Sequence, residues 1–149
     1  MKNIKKEDKI QKLSEFLCFS VYSSNLAFGK VYKPVLDKHG LTYTQFITIV
    51  ALWEEDDLTV SSLGEKLFLE SNTVTPILKK LEHAGFLTRQ RDRKDERIVR
   101  VSLTEKGRDL RESCPELCIT VATGLTEDEF KLMQRSISKL RDNLNRSRS

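Results

Sequence analysis

The stretch that decides the fold runs from Leu69 to Arg100 and reads LESNTVTPILKKLEHAGFLTRQRDRKDERIVR. Its first half has apolar residues at helical spacing, and Gly85 stands where a glycine typically ends a helix. The predicted buried stripe of this helix is Val74, Ile77, Leu78 and Leu81. Its second half predicts two strands joined by a polar turn from Asp92 to Arg97. The stretch therefore predicts a short helix followed by a basic hairpin.

Helices are predicted on both sides of this unit. An apolar helix over residues 8–36 comes first, and a second helix begins near residues 42–44. Ser61 is the predicted cap of a third helix, while Thr104 and Thr126 begin the last two. This order of elements predicts a mainly α fold with a small β wing. It is the order of a winged helix-turn-helix flanked by N- and C-terminal dimerisation helices.

The 149 residues predict a single domain with a substantial core. We place the winged helix-turn-helix at about residues 42–103 and the dimerisation helices at about 5–40 and 104–147. Pro34 predicts a kink or a frayed end late in the first helix. The run Glu54–Asp57 predicts a solvated acidic turn.

Composition narrows the class of protein. No apolar run approaches the roughly 20 residues that span a membrane, and no apolar segment follows the charged N-terminus as in a secretory signal. We therefore expect a cytoplasmic protein without membrane contact. The net charge is +4 and the pI about 9.0, which permits nucleic-acid binding. Between Arg89 and Arg100, five arginines and one lysine face three acids.

The cysteines do not predict a structural site. Three cysteines, an odd number, disfavour a disulfide framework in such a chain. Cys114 and Cys118 on one helix would have Cβ atoms about 6 Å apart, whereas a disulfide needs about 3.8 Å. Two scattered histidines complete no zinc site, so we expect no metal and no cofactor.

The predicted helix and hairpin carry the groups that DNA recognition needs. Hydroxyl and amide groups near a helix start read base edges, and cations nearby bind phosphate. On the helix these residues are Ser71, Asn72, Thr73, Thr75, Lys79 and Lys80. On the hairpin they are Arg93, Lys94 and Arg97, with Asp95 placed to hold the Arg97 guanidinium. A solvated polar face is the plainer interpretation, but helix, turn, helix and basic hairpin in this order favour DNA binding.

The pattern T-x-T-x-x-[LVI]-x-x-L-E-x-x-G-[FL], then D-x-R and L-T-x-x-G, resembles the MarR family of winged-helix transcription regulators along the whole chain. The resemblance implies an obligate homodimer on double-stranded DNA, with recognition helices in successive major grooves of a pseudo-palindromic operator and wings in the flanking minor grooves. It implies that the reading residues are Ser71, Thr73, Thr75, Pro76 and Lys79. Asp95 and Arg97 would be the wing pair.

Cys18 is the candidate sensor of this regulator. It lies in EFLCFSVYSS on the first helix, one turn before Tyr22, and the only other tyrosines are Tyr32 and Tyr43. A tyrosine hydroxyl that donates to a thiolate stabilises the charged, reactive form, and peroxide then gives a sulfenic acid. The alternative is a buried structural cysteine, which is the usual role of a cysteine on an apolar helix face.

The segment around Cys18 is similar to the organic-hydroperoxide-sensing OhrR-type branch of the family, which carries F-L-C-F-[SA]-x-Y. That resemblance implies that Tyr32 and Tyr43 bond the sulfur and that Tyr22 arrives from the partner subunit. It also implies that a low-molecular-weight thiol or a resolving cysteine of the second subunit captures the oxidised sulfur. Cys118, or else Cys114, is the candidate resolving residue; the alternative is that both only pack in the interface.

Together these features predict a homodimeric transcription regulator, a repressor released when hydroperoxide oxidises Cys18. One alternative is control by a small aromatic ligand lined by Phe28, Tyr43 and Trp53. Another is a broader virulence, antibiotic or stress-response regulator that uses the same cysteine. A thiol peroxidase would need a general base near Cys18, and no histidine or acid is placed for it, so we expect no enzyme and no catalytic residue.

Overall fold

The computed structural model of the protein describes residues 11–113 and 122–148, which fall into two compact units divided after Glu112. Cys114 and Cys118 lie outside the described residues. The helices are α1 (Leu17–Lys38), α2 (Tyr43–Glu54), α3 (Val60–Leu67), α4 (Ser71–His83), α5 (Glu105–Ser113) and α6 (Glu127–Arg146). The strands are β1 (Leu58–Thr59), β2 (Leu87–Arg91) and β3 (Val99–Leu103). The predicted fold class, mainly α with a small β wing, is confirmed.

The first helix differs at both ends from its predicted bounds. A 3₁₀ turn at Leu13–Glu15 is separated from α1 by Phe16, whose backbone is extended with φ −82° and ψ 113°. Pro34 does not end the helix, which continues to Lys38. The chain turns after the helix at Gly40, whose φ of +65° is a left-handed conformation that glycine adopts readily.

The acidic turn after α2 is solvated, as predicted, and it is also an anchor. Lys66 Nζ of α3 lies 3.3 Å from Glu54 Oε2 and 3.5 Å from Glu55 Oε2. Asp56 Oδ1 accepts the backbone N–H of Leu103 in β3 at 2.9 Å. The acids are paired with residues distant in sequence, which their local pattern does not reveal.

The third helix begins earlier than predicted, because its cap is Thr59 and not Ser61. Thr59 Oγ1 accepts the backbone N–H of Ser62 at 3.1 Å. Thr59 also closes strand β1, where it pairs with Arg100 in β3. The end of the strand therefore fixes the start of the helix.

The winged unit is held by one shared core. Its sheet has the strand order β1-β3-β2 and is antiparallel throughout. Helices α2, α3 and α4 pack against one another and onto the hairpin. The most deeply buried side chains are Ile49, Leu52, Leu63, Val74, Leu78, Leu81, Leu87 and Val101. Since α4 and the sheet share this core, the helix and the wing are fixed relative to each other.

Two helices carry large apolar side chains on exposed faces. On α1 these include Leu17, Tyr22, Leu26, Phe28 and Val31. On α6, which the predicted Thr126–Glu129 capping box begins, they include Leu132, Met133, Ile137 and Leu144. Among the described helices, none combines the length and the apolar character needed to cross a membrane.

Candidate DNA interface and thiol site

Helix α4 presents its predicted reading face outward. Val74, Leu78 and Leu81 are buried. The residues predicted to read DNA lie off that stripe: Ser71, Asn72, Thr73, Pro76, Lys79 and Lys80 are exposed, and Thr75 is half-buried. The amphipathic pattern of the sequence thus gave the orientation of this helix correctly.

The start of α4 is open to an external acceptor. Among the described residues, no side chain caps the helix at Glu70. Backbone N–H groups in the first turn of a helix bind anions, and the helix dipole favours negative charge there. The hydroxyl of Thr75 donates to the carbonyl of Ser71 at 2.8 Å, which leaves the lone pairs of its oxygen for a donor on a ligand.

The wing tip is an ordered turn. Asp92 Oδ1 accepts the backbone N–H groups of Lys94 at 2.8 Å and Asp95 at 3.3 Å. Asp95 Oδ1 then accepts both the backbone N–H and Nε of Arg97, each at 3.0 Å, and Arg97 Nη2 donates to Oδ2 at 2.9 Å. The predicted pair of Asp95 and Arg97 is therefore present.

The charges at the tip are mutually stabilised. Hydrogen bonds from the Arg97 side chain and backbone lower the pKa of Asp95, and Asp95 raises the pKa of Arg97. The Arg97 side chain is 90% exposed although it is held by this bidentate contact. An arginine that is fixed in direction yet solvated is preorganised to meet an anion or a narrow minor groove.

Two arginines of the basic stretch hold the wing in place and were not singled out from the sequence. Arg89 of β2 donates to Glu82 of α4 from its backbone N–H at 3.0 Å and from Nη2 at 2.7 Å. Arg100 of β3 donates from Nε to Asp57 Oδ1 at 2.9 Å, and its Nη1 lies 3.6 Å from Asp92 Oδ2. These pairings lower the pKa of Glu82 and of Asp57.

A groove of about 410 Å³ connects the reading helix to the wing. Ser71 and Thr75 line it from α4, Arg89 and Arg97 from the wing, and Ser61 from the start of α3. Three of the residues predicted for DNA contact, Ser71, Thr75 and Arg97, are thus brought together in one groove. Arg93 and Lys94 line a separate cavity, of about 370 Å³, that also contains Asp57 and Arg100.

The residues predicted for the thiol site lie on α1 and α2, and the protomer does not bring Tyr32 and Tyr43 to Cys18, because Tyr32 is about 21 Å along the same helix. Cys18 is a free, exposed thiol at the start of α1, and Tyr22 on the same helix is 59% exposed. Tyr32, near the other end of α1, places its ring 5.2 Å from that of Tyr43 at the start of α2. Because Cys18 is exposed, it is not a buried structural cysteine within this protomer.

The helix-turn-helix shares its core with a three-stranded wing. One groove gathers hydroxyl groups and a fixed arginine from the two parts. This combination defines a winged-helix DNA-binding protein. The family model of the transcriptional regulators SarA/Rot matches residues 30–113. The chain therefore belongs to this family of MarR-like transcription regulators.

Characterised relatives share most of the chain. The transcriptional regulator TtmR of Methylorubrum extorquens is 45% identical over 139 residues, covering 92% of this chain and 71% of its own length. The organic hydroperoxide resistance transcriptional regulator of Bacillus subtilis is 40% identical over 136 residues, covering 89% and 92%. Reduced AbfR bound to DNA is a structural neighbour, with a TM-score of 0.78, 32% identity and coverage of 92% and 95%. The protein is accordingly a transcription regulator, and its similar proteins carry no enzyme name.

Proposed function

We propose that the protein is a homodimeric repressor that leaves its operator when an organic hydroperoxide oxidises Cys18. The observation that carries the proposal is the free, exposed thiol of Cys18 on the helix that also presents Tyr22 and Tyr32. The contact of Tyr32 with Tyr43 joins this helix to α2. A thiol of this kind can react, and the helix that carries it is attached to the winged unit.

A second copy of the chain supplies the proposed partner. Side chains such as Leu17 and Leu26 on α1, and Leu132 and Leu144 on α6, are about half exposed or more in the protomer. Apolar faces of this extent mark association surfaces. A symmetric dimer would present two α4 helices, and operator half-sites lie one helical turn, about 34 Å, apart.

Within that dimer, we assign direct DNA contact to the surface around the 410 Å³ groove. The start of α4 and its exposed lysines enter the major groove, and the wing tip reaches the flanking minor groove. The assigned residues are Ser71, Asn72, Thr73, Thr75, Pro76, Lys79, Lys80, Arg93, Lys94, Asp95 and Arg97. The regulator named AbfR offers a precedent, since its reduced form is bound to DNA.

The proposed chemistry balances without a cofactor. The Cys18 thiolate attacks the hydroxyl oxygen of ROOH, the O–O bond breaks, and RO⁻ leaves and takes a proton to become ROH. Sulfur loses two electrons, the peroxide gains them, and Cys18 becomes a sulfenic acid. Tyr22, Tyr32 and Tyr43 are the proposed hydrogen-bond donors to the sulfur. Because Tyr32 follows Cys18 on one continuous helix at a distance of about 21 Å, Tyr32 and Tyr43 would come from the partner subunit and Tyr22 from the same chain, the reverse of what the resemblance implies.

Capture of the sulfenic acid completes the switch. A low-molecular-weight thiol condenses with Cys–S–OH to give a mixed disulfide and water. In the second route, Cys118 or Cys114 of the second subunit takes the place of the small thiol and forms a disulfide between the two subunits. A disulfide-formed state of AbfR, 33% identical with a TM-score of 0.62, is a precedent for the second route in a related regulator.

The test is a gel shift on a fragment of the protein's own promoter, with and without cumene hydroperoxide. Wild-type protein should release the DNA after oxidation, and Cys18→Ser should bind equally well but stay bound. Release of Cys18→Ser by peroxide would exclude Cys18 as the sensor. A disulfide-linked dimer on a non-reducing gel would select the second capture route, and release by a small aromatic compound alone would select ligand control.

A further inference from the structure

A row of aromatic rings leads from Tyr32, near the end of the helix that carries Cys18, into the winged unit. Tyr32 of α1 lies 5.2 Å from Tyr43 and 5.7 Å from Phe46, both on α2, between ring centroids. Phe46 lies 6.0 Å from Trp53 in an edge-to-face arrangement. These separations are those of favourable ring pairs. The row therefore links α1 to the far end of α2 through direct contacts.

The row ends in a single long-range hydrogen bond. Trp53 Nε1 donates to the carbonyl of Gly107 in the first turn of α5 at 2.8 Å. Gly107 is packed closely against neighbouring chain: a Cβ there would lie 2.2 Å from the carbonyl oxygen of Phe86 and 2.9 Å from Leu103 Cδ2. The acceptor of the Trp53 bond is therefore locked onto the chain that enters the wing.

The first turn of α5 is bonded to the end of the reading helix. Thr104 Oγ1 accepts the N–H of Gly107 at 3.2 Å and donates to the carbonyl of Gly85 at 2.6 Å. The N–H of Thr104 donates to the carbonyl of Phe86 at 3.1 Å. Gly85 terminates α4 with a φ of +83°. A displacement at Gly107 is thus passed to the junction where α4 becomes β2.

We propose that Trp53 is a positioning residue that couples the thiol site to the reading helix. The hydrogen bond from its indole N–H to the carbonyl of Gly107 joins the end of α2 to the junction of α4 with β2, so that the two move together. The inference rests on the proposed function, because it assigns the path by which oxidation of Cys18 reaches the DNA surface. Trp53 can serve this role because its side chain has one donor and that donor is committed to Gly107.

The mechanism follows from the packing around the bond. Oxygen added at Cys18 shifts α1, and the ring contacts of Tyr32 transfer that shift to α2. Because Gly107 is closely packed, the displacement of α2 is not absorbed there, and α4 and the wing rotate as one unit. The two reading helices of the dimer then lose their common register on the operator.

The test uses Trp53→Phe, which keeps a ring against Phe46 and removes the N–H donor. Kd for the promoter fragment is measured for reduced and cumene-hydroperoxide-treated dimers, with unfolding by urea as the structural readout. The reduced variant should bind within about two-fold of wild type, while the oxidised-to-reduced Kd ratio falls about five-fold, the equivalent of one hydrogen bond. Lys66→Gln is the control, because it removes the ion pairs of Lys66 with Glu54 and Glu55 at the end of α2 but leaves the bond to Gly107. Its Kd ratio should equal that of wild type.

Trp53 is the only tryptophan in the chain, so its fluorescence gives a second measurement that needs no variant of it. Oxidation should change its emission in wild type and leave that of Cys18→Ser unchanged. If the Kd ratio of Trp53→Phe equals that of wild type, the inference is overturned and the proposed function stands. The same holds if oxidation releases wild-type protein from DNA without a change in its emission. Wild-type protein that keeps its DNA after oxidation overturns the proposed function and this inference with it.

Discussion

Arg97 pairs with the carboxylate of Asp95 at the solvent-exposed tip of the wing. Its Nε lies 3.0 Å from Oδ1 and its Nη2 lies 2.9 Å from Oδ2. The backbone N–H of Arg97 donates to the same Oδ1 atom. One short acid therefore fixes both the turn and the direction of the arginine. The wing is built to present one cation in a defined place.

Replacing Arg97 with alanine should weaken operator binding and also lower its salt dependence. Each lost cation contact at the DNA reduces the slope of log K against log salt concentration by about 1. Titrations of a labelled promoter fragment at several salt concentrations measure this slope. An unchanged slope would place Arg97 away from the DNA.

The matched control is Arg100→Ala, which removes a neighbouring arginine that bonds to Asp57 and faces Asp92. The Arg100 side chain is 38% exposed, and its guanidinium is already paired with acidic side chains of the same chain. We expect weaker binding through a less well-fixed wing, but the slope should stay at its wild-type value. The pair of variants separates direct contact from support.

Replacing Asp95 with asparagine should reduce affinity by about two- to five-fold while leaving stability almost unchanged, because Arg97 is exposed and solvent screens its ion pair with Asp95. Arg97 would keep its charge but lose its fixed direction. The salt slope should therefore stay close to that of wild type although Kd rises. Fluorescence anisotropy on the same fragment measures both quantities, and a full loss of binding would mean that Asp95 does more than orient Arg97.

Replacing Glu82 with glutamine should make stability less dependent on pH in acid. Its pKa is lowered in the folded state by the Arg89 side chain and backbone N–H, so its charged form stabilises the fold above the ordinary value of 4.5. That contribution is lost as the pH falls through the lowered folded pKa. The variant should be less stable by about 0.5–1 kcal/mol near pH 7, a figure kept small because the carboxylate is partly exposed.

Urea unfolding at a series of pH values tests this, with Glu65→Gln on the exposed face of α3 as the control. The difference in unfolding free energy between wild type and Glu82→Gln should vanish at low pH. A difference that persists in strong acid would show that packing and not charge is responsible.

Replacing Gly107 with alanine should destabilise the winged unit by about 2–3 kcal/mol, because the added Cβ would overlap the carbonyl oxygen of Phe86. Thermal or urea unfolding measures the loss. Gly29→Ala in α1 is the comparison, since a Cβ there meets nothing within 4 Å in the protomer. That variant should be unchanged or more stable by up to about 1 kcal/mol.

Local patterns were enough to locate the reading helix and the wing. The spacing of Val74, Leu78 and Leu81 gave the buried side of α4, and the glycine at position 85 gave its end. The predicted cap of α3 was Ser61 and the observed cap is Thr59, because the start of that helix depends on strand β1, whose Leu58 pairs with Val101, 43 positions further along the chain. The roles of the individual DNA-contact and sensor residues stay predictions.

By itself, the sequence determined the class of protein, because periodicity, helix caps and turn residues act over only a few neighbouring positions. The sequence also predicted the pair of Asp95 and Arg97, two residues apart, whereas the tertiary structure alone decided the other charged and aromatic partners discussed above. It assigned Glu82 and Asp57 to the arginines of the wing, and Trp53 to the carbonyl of Gly107. Such pairs join residues up to 54 positions apart, so only the packed core brings them within hydrogen-bond distance.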